Sequence, residues 1–391
     1  MFKQMLTLIG GMALALSVLA ADVAIKPDHP DVYVVRKGDT LWSIAGRFLI
    51  HPWQWPEIWQ ANPQVQNPHR IYPGDRLSLS YRDGRARLGV ERLSPRIRAE
   101  SLDDAITAIP LAAVRPFLEQ VGLTDADGER RMPYVVALEE NRLRGTEGQV
   151  VYVRGLDAEP GTRVVLSRVT MEFWEVPKNW PWDTAERRAD GIAMRGDPIF
   201  NRPVWYWADT LNWSFRDRNA DHLGTELLQV GAGEVLRAND SVTTVLITGA
   251  DMEIAKGDRV RVGAADPFDL TFMPRAPDQV PENMRVMAVT NTGFTAGPND
   301  VVALSKGARD GVANGQVYSI FHPGERIDDD IKYPSDEIDR MLAGDGAKIQ
   351  LPAEYVARVM VFRTFEKMSY GLIVEGIRPV VVNDELRAPL E

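Results

Sequence analysis

The 391-residue sequence contains no cysteine. It can therefore form no disulfide, hold no cysteine-ligated metal and carry no lipidated N-terminal cysteine, and thiol-dependent peptidases and transpeptidases are excluded. Without disulfides, the fold needs substantial hydrophobic cores. With 45% hydrophobic and 26% charged residues, the chain has the composition of a folded protein, and its length is sufficient for about two or three domains.

Histidine is scarce, and no histidine spacing typical of a metal site is present. The five histidines are scattered, without His-x-His or His-Glu-x-x-His, which argues against metallopeptidases and zinc amidases: His29, His51, His69, His222 and His322. The chain also lacks a Gly-x-Ser-x-Gly elbow and a Ser-x-x-Lys motif with its partner motifs. Glu100-Ser101 resembles the acid position of lytic transglycosylases, but the residues that follow in that family are absent, which favours a plain helix N-terminus. We therefore predict no catalytic residue, no metal site and no cofactor.

Long apolar runs are confined to the N-terminus. Residues 1–21 combine Lys3, an apolar run over residues 5–19 and small residues at Ala20 and Ala21. This pattern predicts a secretory signal peptide cleaved near Ala20 or Ala21, and an uncleaved membrane anchor is the less favoured alternative. The mature chain is therefore expected beyond the inner membrane or outside the cell.

Charge is distributed unevenly along the chain. Residues 22–100 hold 12 Lys and Arg against 9 Asp and Glu, whereas residues 101–391 hold 32 against 46. The basic excess lies at Arg82, Arg85, Arg87, Arg92, Arg96 and Arg98. These arginines could contact carboxylates of peptidoglycan stem peptides or acidic phospholipid head groups, and a solvated linker is an equally good interpretation. Nucleic acid is not expected as a partner of an exported acidic protein.

Residues 33–79 follow the pattern of a small βααβ unit. A β-prone run, Tyr33-Val34-Val35, ends at Lys37-Gly38-Asp39-Thr40, where Gly38 permits a tight turn and Asp39 or Thr40 can cap a helix. The helix face is formed by Leu41, Ile44, Ala45 and Phe48. A second helix is predicted over residues 55–62, and an alternating strand follows the Pro73-Gly74 turn.

This unit resembles the LysM module, a carbohydrate-binding domain of cell-wall proteins. The matching residues are Tyr33, Val35, Gly38, Asp39, Thr40, Leu41, Ile44, Ala45, Asn62, Ile71, Gly74, Asp75 and Leu77. The resemblance implies that glycan lies between two loops, read by backbone amides and by apolar contact with N-acetyl groups. The implied glycan-binding residues are Gly38, Asp39, Thr40, Leu41, Ile71, Tyr72, Pro73 and Gly74. For Asp39, helix capping is the expected main role. The segment 51–55 is longer and more aromatic than in the usual module.

The rest of the chain is predicted to be mainly β. Residues 81–131 are interpreted as a basic linker with connector helices, one of them capped by Ser101. Short β-branched or aromatic runs then alternate with turn residues, at residues 135–138, 150–153, 164–166, 243–247, 260–262, 301–304, 317–321 and 356–362. We predict an α+β protein: a LysM-like domain over residues 30–80, then a β body of small barrel or sandwich units over residues 132–265 and 280–391.

Two features of this body have alternative interpretations. Residues 154–164 resemble residues 248–260, and shorter versions of the closing Gly-polar-polar-aliphatic pattern recur at Gly74, Gly315 and Asn383. A favoured turn before a strand explains this more simply than duplication does, although the length of the first pair suggests related β units. The tryptophan-rich insert, residues 171–215, could stack on sugars or fill a partner's pocket, although core packing is favoured.

A second resemblance extends over most of the mature chain. The LysM-like head, with Trp42, Phe48 and the segments 52–63 and 71–75, is similar to that of the type IV pilus secretin-associated protein family. The segments 151–155, 253–259, 306–315 and 380–384 are similar to that family's β-rich body. The resemblance implies a periplasmic, non-enzymatic adaptor that binds peptidoglycan and anchors an outer-membrane secretin. Edge strands could also join copies of the chain in a homo-oligomer. The alternative is a peptidoglycan hydrolase with an unrecognised active site.

Overall fold

The computed structural model describes residues 23–60, 71–82, 85–90, 108–175, 192–197, 202–205, 221–239, 241–263, 272–289, 295–324, 326–329, 331 and 348–390. Within these ranges, no helix is both long and apolar enough to span a membrane. The predicted signal peptide, the Glu100-Ser101 pair and most of the tryptophan-rich insert lie outside the described residues.

The N-terminal domain has the predicted βααβ order. Strand β1 (Val32–Val34), helix α1 (Leu41–Phe48), helix α2 (Trp55–Gln60) and strand β2 (Arg76–Arg82) follow one another. The predicted helix face is buried, and Trp42 joins it. Strand β3 (Arg85–Val90) pairs with β2 to complete a three-stranded sheet, although the sequence predicted a linker there. Leu88 explains the difference, because its side chain is buried in the domain core.

A connector leads from this domain to the β body. It consists of helix α3 (Leu111–Glu119), strand β4 (Val121–Thr124) and helix α4 (Ala126–Arg131). Asp125 caps α4 by accepting a hydrogen bond from the Gly128 amide. The helix that was predicted from Ser101 lies outside the described residues.

The first half of the body is a closed six-stranded barrel, which we call barrel 1. The described residues of this half of the body contain eight strands, of which β8 and β9 lie outside the barrel. They are β5 (Tyr134–Leu138), β6 (Val150–Arg154), β7 (Arg163–Glu175), β8 (Ile192–Asp197), β9 (Arg202–Trp205), β10 (Asp221–Ala238), β11 (Thr243–Ala250) and β12 (Arg259–Val262). The order β7-β10-β11-β6-β5-β12 closes because β12 pairs with β7. Beyond the barrel, β7 and β10 continue as an arm that bears β8 and β9, and β4 pairs with β10.

The second half of the body is barrel 2. Its strands are β13 (Val286–Val289), β14 (Thr295–Ala296), β15 (Val301–Leu304), β16 (Val317–His322), β17 (Arg326–Asp328), β18 (Lys348–Gln350), β19 (Glu354–Thr364), β20 (Ser369–Gly376), β21 (Val380–Val381) and β22 (Glu385–Arg387). The order β13-β15-β20-β19-β16-β22 closes through the bridge between Arg285 and Glu385. The β runs predicted from the sequence all fall on strands of the two barrels.

The two barrels have the same topology. Taking the strands in chain order, β5, β6, β7, β10, β11 and β12 of barrel 1 correspond to β13, β15, β16, β19, β20 and β22 of barrel 2. Bulges fall at equivalent residues, Val136 with Met287 and Leu236 with Phe362. The body is therefore an internal repeat of one barrel, a relation that the similarity of residues 154–164 and 248–260 did not reveal.

One kind of turn precedes three strands of each barrel and strand β2. In each, the third residue has φ between +73° and +92°, and the amide of the fourth donates to the carbonyl of the first. The third residues are Gly74, Gly148, Gly161, Gly257, Asn299, Gly315 and Asn383. Only residues that tolerate positive φ suit this position, as in a type II turn. The structure thus confirms that the recurring sequence pattern marks a turn before a strand.

Barrel 2 is buried on its outside as well as its inside. Residues of β15 and β19 alternate between the barrel core and a second apolar cluster that also contains the arm of barrel 1 and helix α3. Phe117 of α3 contacts Phe362 and Tyr370 edge-on or tilted, with ring centroids 6.5 and 5.8 Å apart. The guanidinium of Arg363 donates to the carbonyls of Phe117, Leu118 and Val121 and so fixes the end of α3.

Candidate functional site

Two similar turns lie side by side at one end of the N-terminal domain. In the first, the Asp39 amide donates to the Arg36 carbonyl and Gly38 has φ +90°; in the second, the Asp75 amide donates to the Tyr72 carbonyl and Gly74 has φ +92°. Val35 joins them, since it directly precedes the first turn and exchanges hydrogen bonds with Gly74 (2.8 Å) and Asp75 (2.9 Å) of the second. The fold therefore brings together the two loops that the sequence predicted to hold glycan.

Asp39 stabilises its turn and does not cap the helix. Its Oδ2 atom accepts hydrogen bonds from the Arg36 amide and from the Tyr33 hydroxyl, both at 2.8 Å. Burial raises the pKa of Tyr33, and the hydrogen bond to Asp39 raises it further. Asp75 acts in the same way in the second turn, where it accepts from the Tyr72 amide at 2.9 Å. The expectation that Asp39 is mainly a helix cap is wrong.

Thr40 is the residue that caps α1. Its Oγ1 accepts a hydrogen bond from the Ser43 amide (3.1 Å), and the Ser43 hydroxyl oxygen accepts one from the Thr40 amide (2.9 Å). Such a reciprocal capping box satisfies two backbone donors at the helix start. In the first turn of α1, the Leu41 amide has no acceptor among the described residues.

The predicted glycan-binding residues differ in accessibility. Thr40, Leu41 and Ile71 are buried as whole residues, so they offer a ligand little or no surface. Gly38 and Gly74 are exposed, and Asp39, Tyr72 and Pro73 are partly exposed. The accessible part of the site therefore consists of two glycine turns, the Tyr72 ring and the Pro73 ring.

The connector contributes a neighbouring group that the sequence analysis missed. The Trp42 amide donates to the carbonyl of Ala108, 3.3 Å away, and Ala108 and Ile109 are buried against the core of the N-terminal domain. Ala108 thus satisfies an amide in the first turn of α1, next to the predicted site. No sequence signal could have identified it, because a backbone carbonyl has no residue signature.

The described residues provide no constellation typical of metal chemistry. Among them, no group of three or more His, Asp or Glu side chains is placed to hold a metal ion. Glu226 is a buried acid whose Oε1 accepts from Thr170 at 2.5 Å and whose Oε2 accepts from Tyr370. Burial raises the pKa of Glu226. This carboxyl group lies in the contact between the two barrels and not in a cleft.

Comparison with known proteins agrees with this geometry. The YqbP protein of Bacillus subtilis (strain 168), which is described as uncharacterized, is 37% identical over 60 residues. That match covers 13% of this chain and 27% of the relative, so the chain spans little more than a quarter of the relative's length. The model of the LysM domain matches residues 33–80, the segment that contains both turns, both helices and most of strands β1 and β2. Residues 33–80 are therefore a LysM domain.

Proposed function

We propose that the protein is a non-enzymatic adaptor of the periplasm that binds the glycan strands of peptidoglycan through the paired turns of its LysM domain. A LysM domain indicates binding of peptidoglycan or a related carbohydrate. The observation that carries the site is the link through Val35, which holds two exposed glycine turns next to each other.

The chemistry of the turns suits an N-acetylated sugar. An acetamido group offers a carbonyl oxygen that accepts hydrogen bonds and a methyl group that is apolar. The exposed backbone of the Gly38 and Gly74 turns provides polar groups, and the partly exposed rings of Tyr72 and Pro73 provide apolar surface. Sugar rings pack well on such surfaces with few charged contacts, so the affinity should depend little on salt.

Sedimentation with purified murein sacculi tests this site. We expect the full chain to pellet with sacculi and Tyr72→Ala to lower the bound fraction several-fold. Tyr81→Ala is the matched control, because Tyr81 is an exposed tyrosine of the same domain, on β2 and outside the turns. A wild-type chain that stays in the supernatant, or equal losses for the two tyrosine variants, would contradict the proposal.

The role proposed for the β body is to hold a protein partner, an outer-membrane secretin. The similarity of its segments to the secretin-associated family supports this role, as does the need of so large a β body for a task other than glycan binding. Crosslinking in intact cell envelopes followed by pull-down of the tagged protein should recover a secretin. Recovery of wall material alone would contradict the secretin role and leave the glycan site unaffected.

Zymography distinguishes the adaptor from a wall hydrolase. The purified adaptor should leave murein embedded in a gel intact. Clearing of the gel would contradict the proposal that the protein is a non-enzymatic adaptor.

A further inference from the structure

The same connection is extended in both barrels. In barrel 1, the connection from β7 to β10 forms the arm that carries β8 and β9. In barrel 2, the equivalent connection from β16 to β19 carries the two-stranded ribbon of β17 and β18. The repeated barrel therefore has a repeated appendage.

The arm of barrel 1 covers the outer wall of barrel 2. Asp221 of the arm accepts hydrogen bonds from Lys367 Nζ and from the Arg309 guanidinium, each at 2.6 Å. Glu226 accepts one from the Tyr370 hydroxyl. Arm residues Met171, Phe173 and Leu223 belong to one apolar cluster with the wall residues of barrel 2, which are Met287, Val301, Ala303, Met360, Phe362, Tyr370 and Leu372.

The ribbon of barrel 2 has an apolar face that no described residue covers. Ile327 and Ile349 are directly opposite each other on one face of the ribbon, and Leu351 lies two residues beyond Ile349, just past the end of β18. These three side chains are 40%, 44% and 39% exposed. Exposed aliphatic residues clustered on a two-stranded ribbon are the type of surface that a protein partner covers.

Barrel 1 has an open wall at the place where barrel 2 is covered. Strand pairing aligns the walls residue by residue, so that Met287, Val301, Ala303, Phe362 and Leu372 correspond to Val136, Val150, Tyr152, Leu236 and Leu246. Val136 is 37% exposed and Leu236 is 46% exposed, and the other three are partly exposed. Glu234 and Thr244 replace Met360 and Tyr370, which makes this wall more polar than that of barrel 2.

We propose that the ribbon of barrel 2 packs on the open wall of barrel 1 in a second copy of this chain. This contact between two chains has the same form as the arm-to-wall contact that joins the two barrels within one chain. The ribbon and the wall are different surfaces, so the interface is heterologous, and each added copy presents a free ribbon and a free wall. Copies therefore assemble head to tail into a ring or a filament. This assembly does not depend on glycan binding.

Sedimentation velocity of the purified full chain without sacculi tests the proposal. The wild type is expected to form species larger than a dimer as its concentration is raised. Ile349→Glu in the ribbon and Leu236→Glu in the wall should each shift assembly to much higher concentration, because either variant buries a charge in the interface. Val34→Glu is the control, since Val34 is 47% exposed on β1 of the LysM domain. Circular dichroism establishes that each variant is folded.

Mixing the two variants separates a head-to-tail contact from a symmetric one. Leu236→Glu retains its ribbon and Ile349→Glu retains its wall, so an equimolar mixture has one intact interface and should stop at a heterodimer. A wild type that is monomeric at every concentration overturns the proposal. Association that only one of the variants disrupts also overturns it, because that result indicates a symmetric contact of one surface with itself.

Crosslinking provides a second measurement that does not require strong association. The natural chain has no cysteine, so the double variant Leu236→Cys with Ile349→Cys carries the only thiols. Oxidation of this variant should give a ladder of disulfide-linked multimers on a non-reducing gel, whereas equimolar single variants, mixed, should give a crosslinked dimer. A double variant that forms no intermolecular disulfide, with its folding intact, overturns the proposal.

Discussion

Asp39 and Thr40 are adjacent residues that hold different parts of the LysM domain. Asp39 ties the turn before the helix to Tyr33 of β1, whereas Thr40 closes the first turn of α1 with Ser43. The sequence could not separate these roles, because both residue types cap helices well and both precede the helix. The distinction depends on which side chain reaches which amide.

Alanine substitution at the two positions should give different local effects. Asp39→Ala removes the acceptor of two hydrogen bonds and should cost about 1–3 kcal/mol of LysM stability, concentrated in β1 and the turn. Thr40→Ala should cost about 1 kcal/mol and loosen the start of α1. Hydrogen exchange of peptides from this domain measures both. If the two variants gave the same exchange pattern, the assignment of separate roles would be incorrect.

Glu226 makes stability depend on pH in a defined direction. Its pKa in the folded protein is raised by burial above the ordinary value of 4.5, although the hydrogen bonds from Thr170 and Tyr370 oppose the shift. The folded state therefore binds this proton more tightly than the unfolded chain does. The contribution of Glu226 to the free energy of unfolding is fully present below pH 4.5. It is lost as pH rises from there through the folded-state pKa, and the free energy of unfolding then falls by at most ~1.4 kcal/mol per pH unit.

Glu226→Gln should remove the loss of stability that Glu226 causes as pH rises. The amide keeps a similar shape and an acceptor for Thr170 or Tyr370 but carries no charge at any pH. Urea unfolding of wild type and variant across mildly acidic to neutral pH should show that the difference in free energy of unfolding moves in favour of the variant as pH rises. A difference that stays constant with pH would show that Glu226 titrates alike in the folded and unfolded chains.

At the scale of elements, the recurrent turn is the feature that the sequence specified best. Its signal is local: Gly or Asn at the third position, Asp, Gln or Thr at the fourth and an aliphatic residue soon after. Positive φ restricts the third position, and the fourth side chain accepts from the first amide in most copies, as Asp258 does for Ala255 at 2.7 Å. Barrel closure and the barrel repeat depend on pairing between distant residues, which composition and periodicity do not encode. Strand β3, by contrast, follows β2 after only Asp83-Gly84, a dipeptide typical of β-hairpins, so its signal is local and the sequence analysis missed it.

Substitutions at Gly161 test the rule for the third position. Gly161 has φ +87°, and a Cβ atom there would meet no atom within 4 Å, so any cost is conformational. Gly161→Ala should cost about 1 kcal/mol of barrel 1 stability. Gly161→Asn should cost less, because Asn299 and Asn383 already occupy this position in barrel 2. Chemical denaturation ranks the two variants, and equal costs would contradict the rule.

At the scale of the whole molecule, the described residues form three apolar clusters. One fills barrel 1, one fills barrel 2, and the third runs from the LysM core through Ala108 and Ile109 to the contact between the barrels. The LysM domain is thus packed against the connector through residues next to its candidate site. The barrels, by contrast, have cores to which the LysM domain contributes no residue.

Deletion of residues 23–90 should therefore separate wall binding from the fold of the body. The deletion removes the paired turns, and residues 91–391, which remain, hold 35 Lys and Arg against 48 Asp and Glu. An acidic body is repelled by the carboxylates of stem peptides, so little residual binding to sacculi is expected. Circular dichroism should retain the β signal of the two barrels, although loss of the cover over Ile109 should lower the stability of the connector. A body that unfolds on this deletion would show that the third cluster, and not the barrel cores, governs the fold.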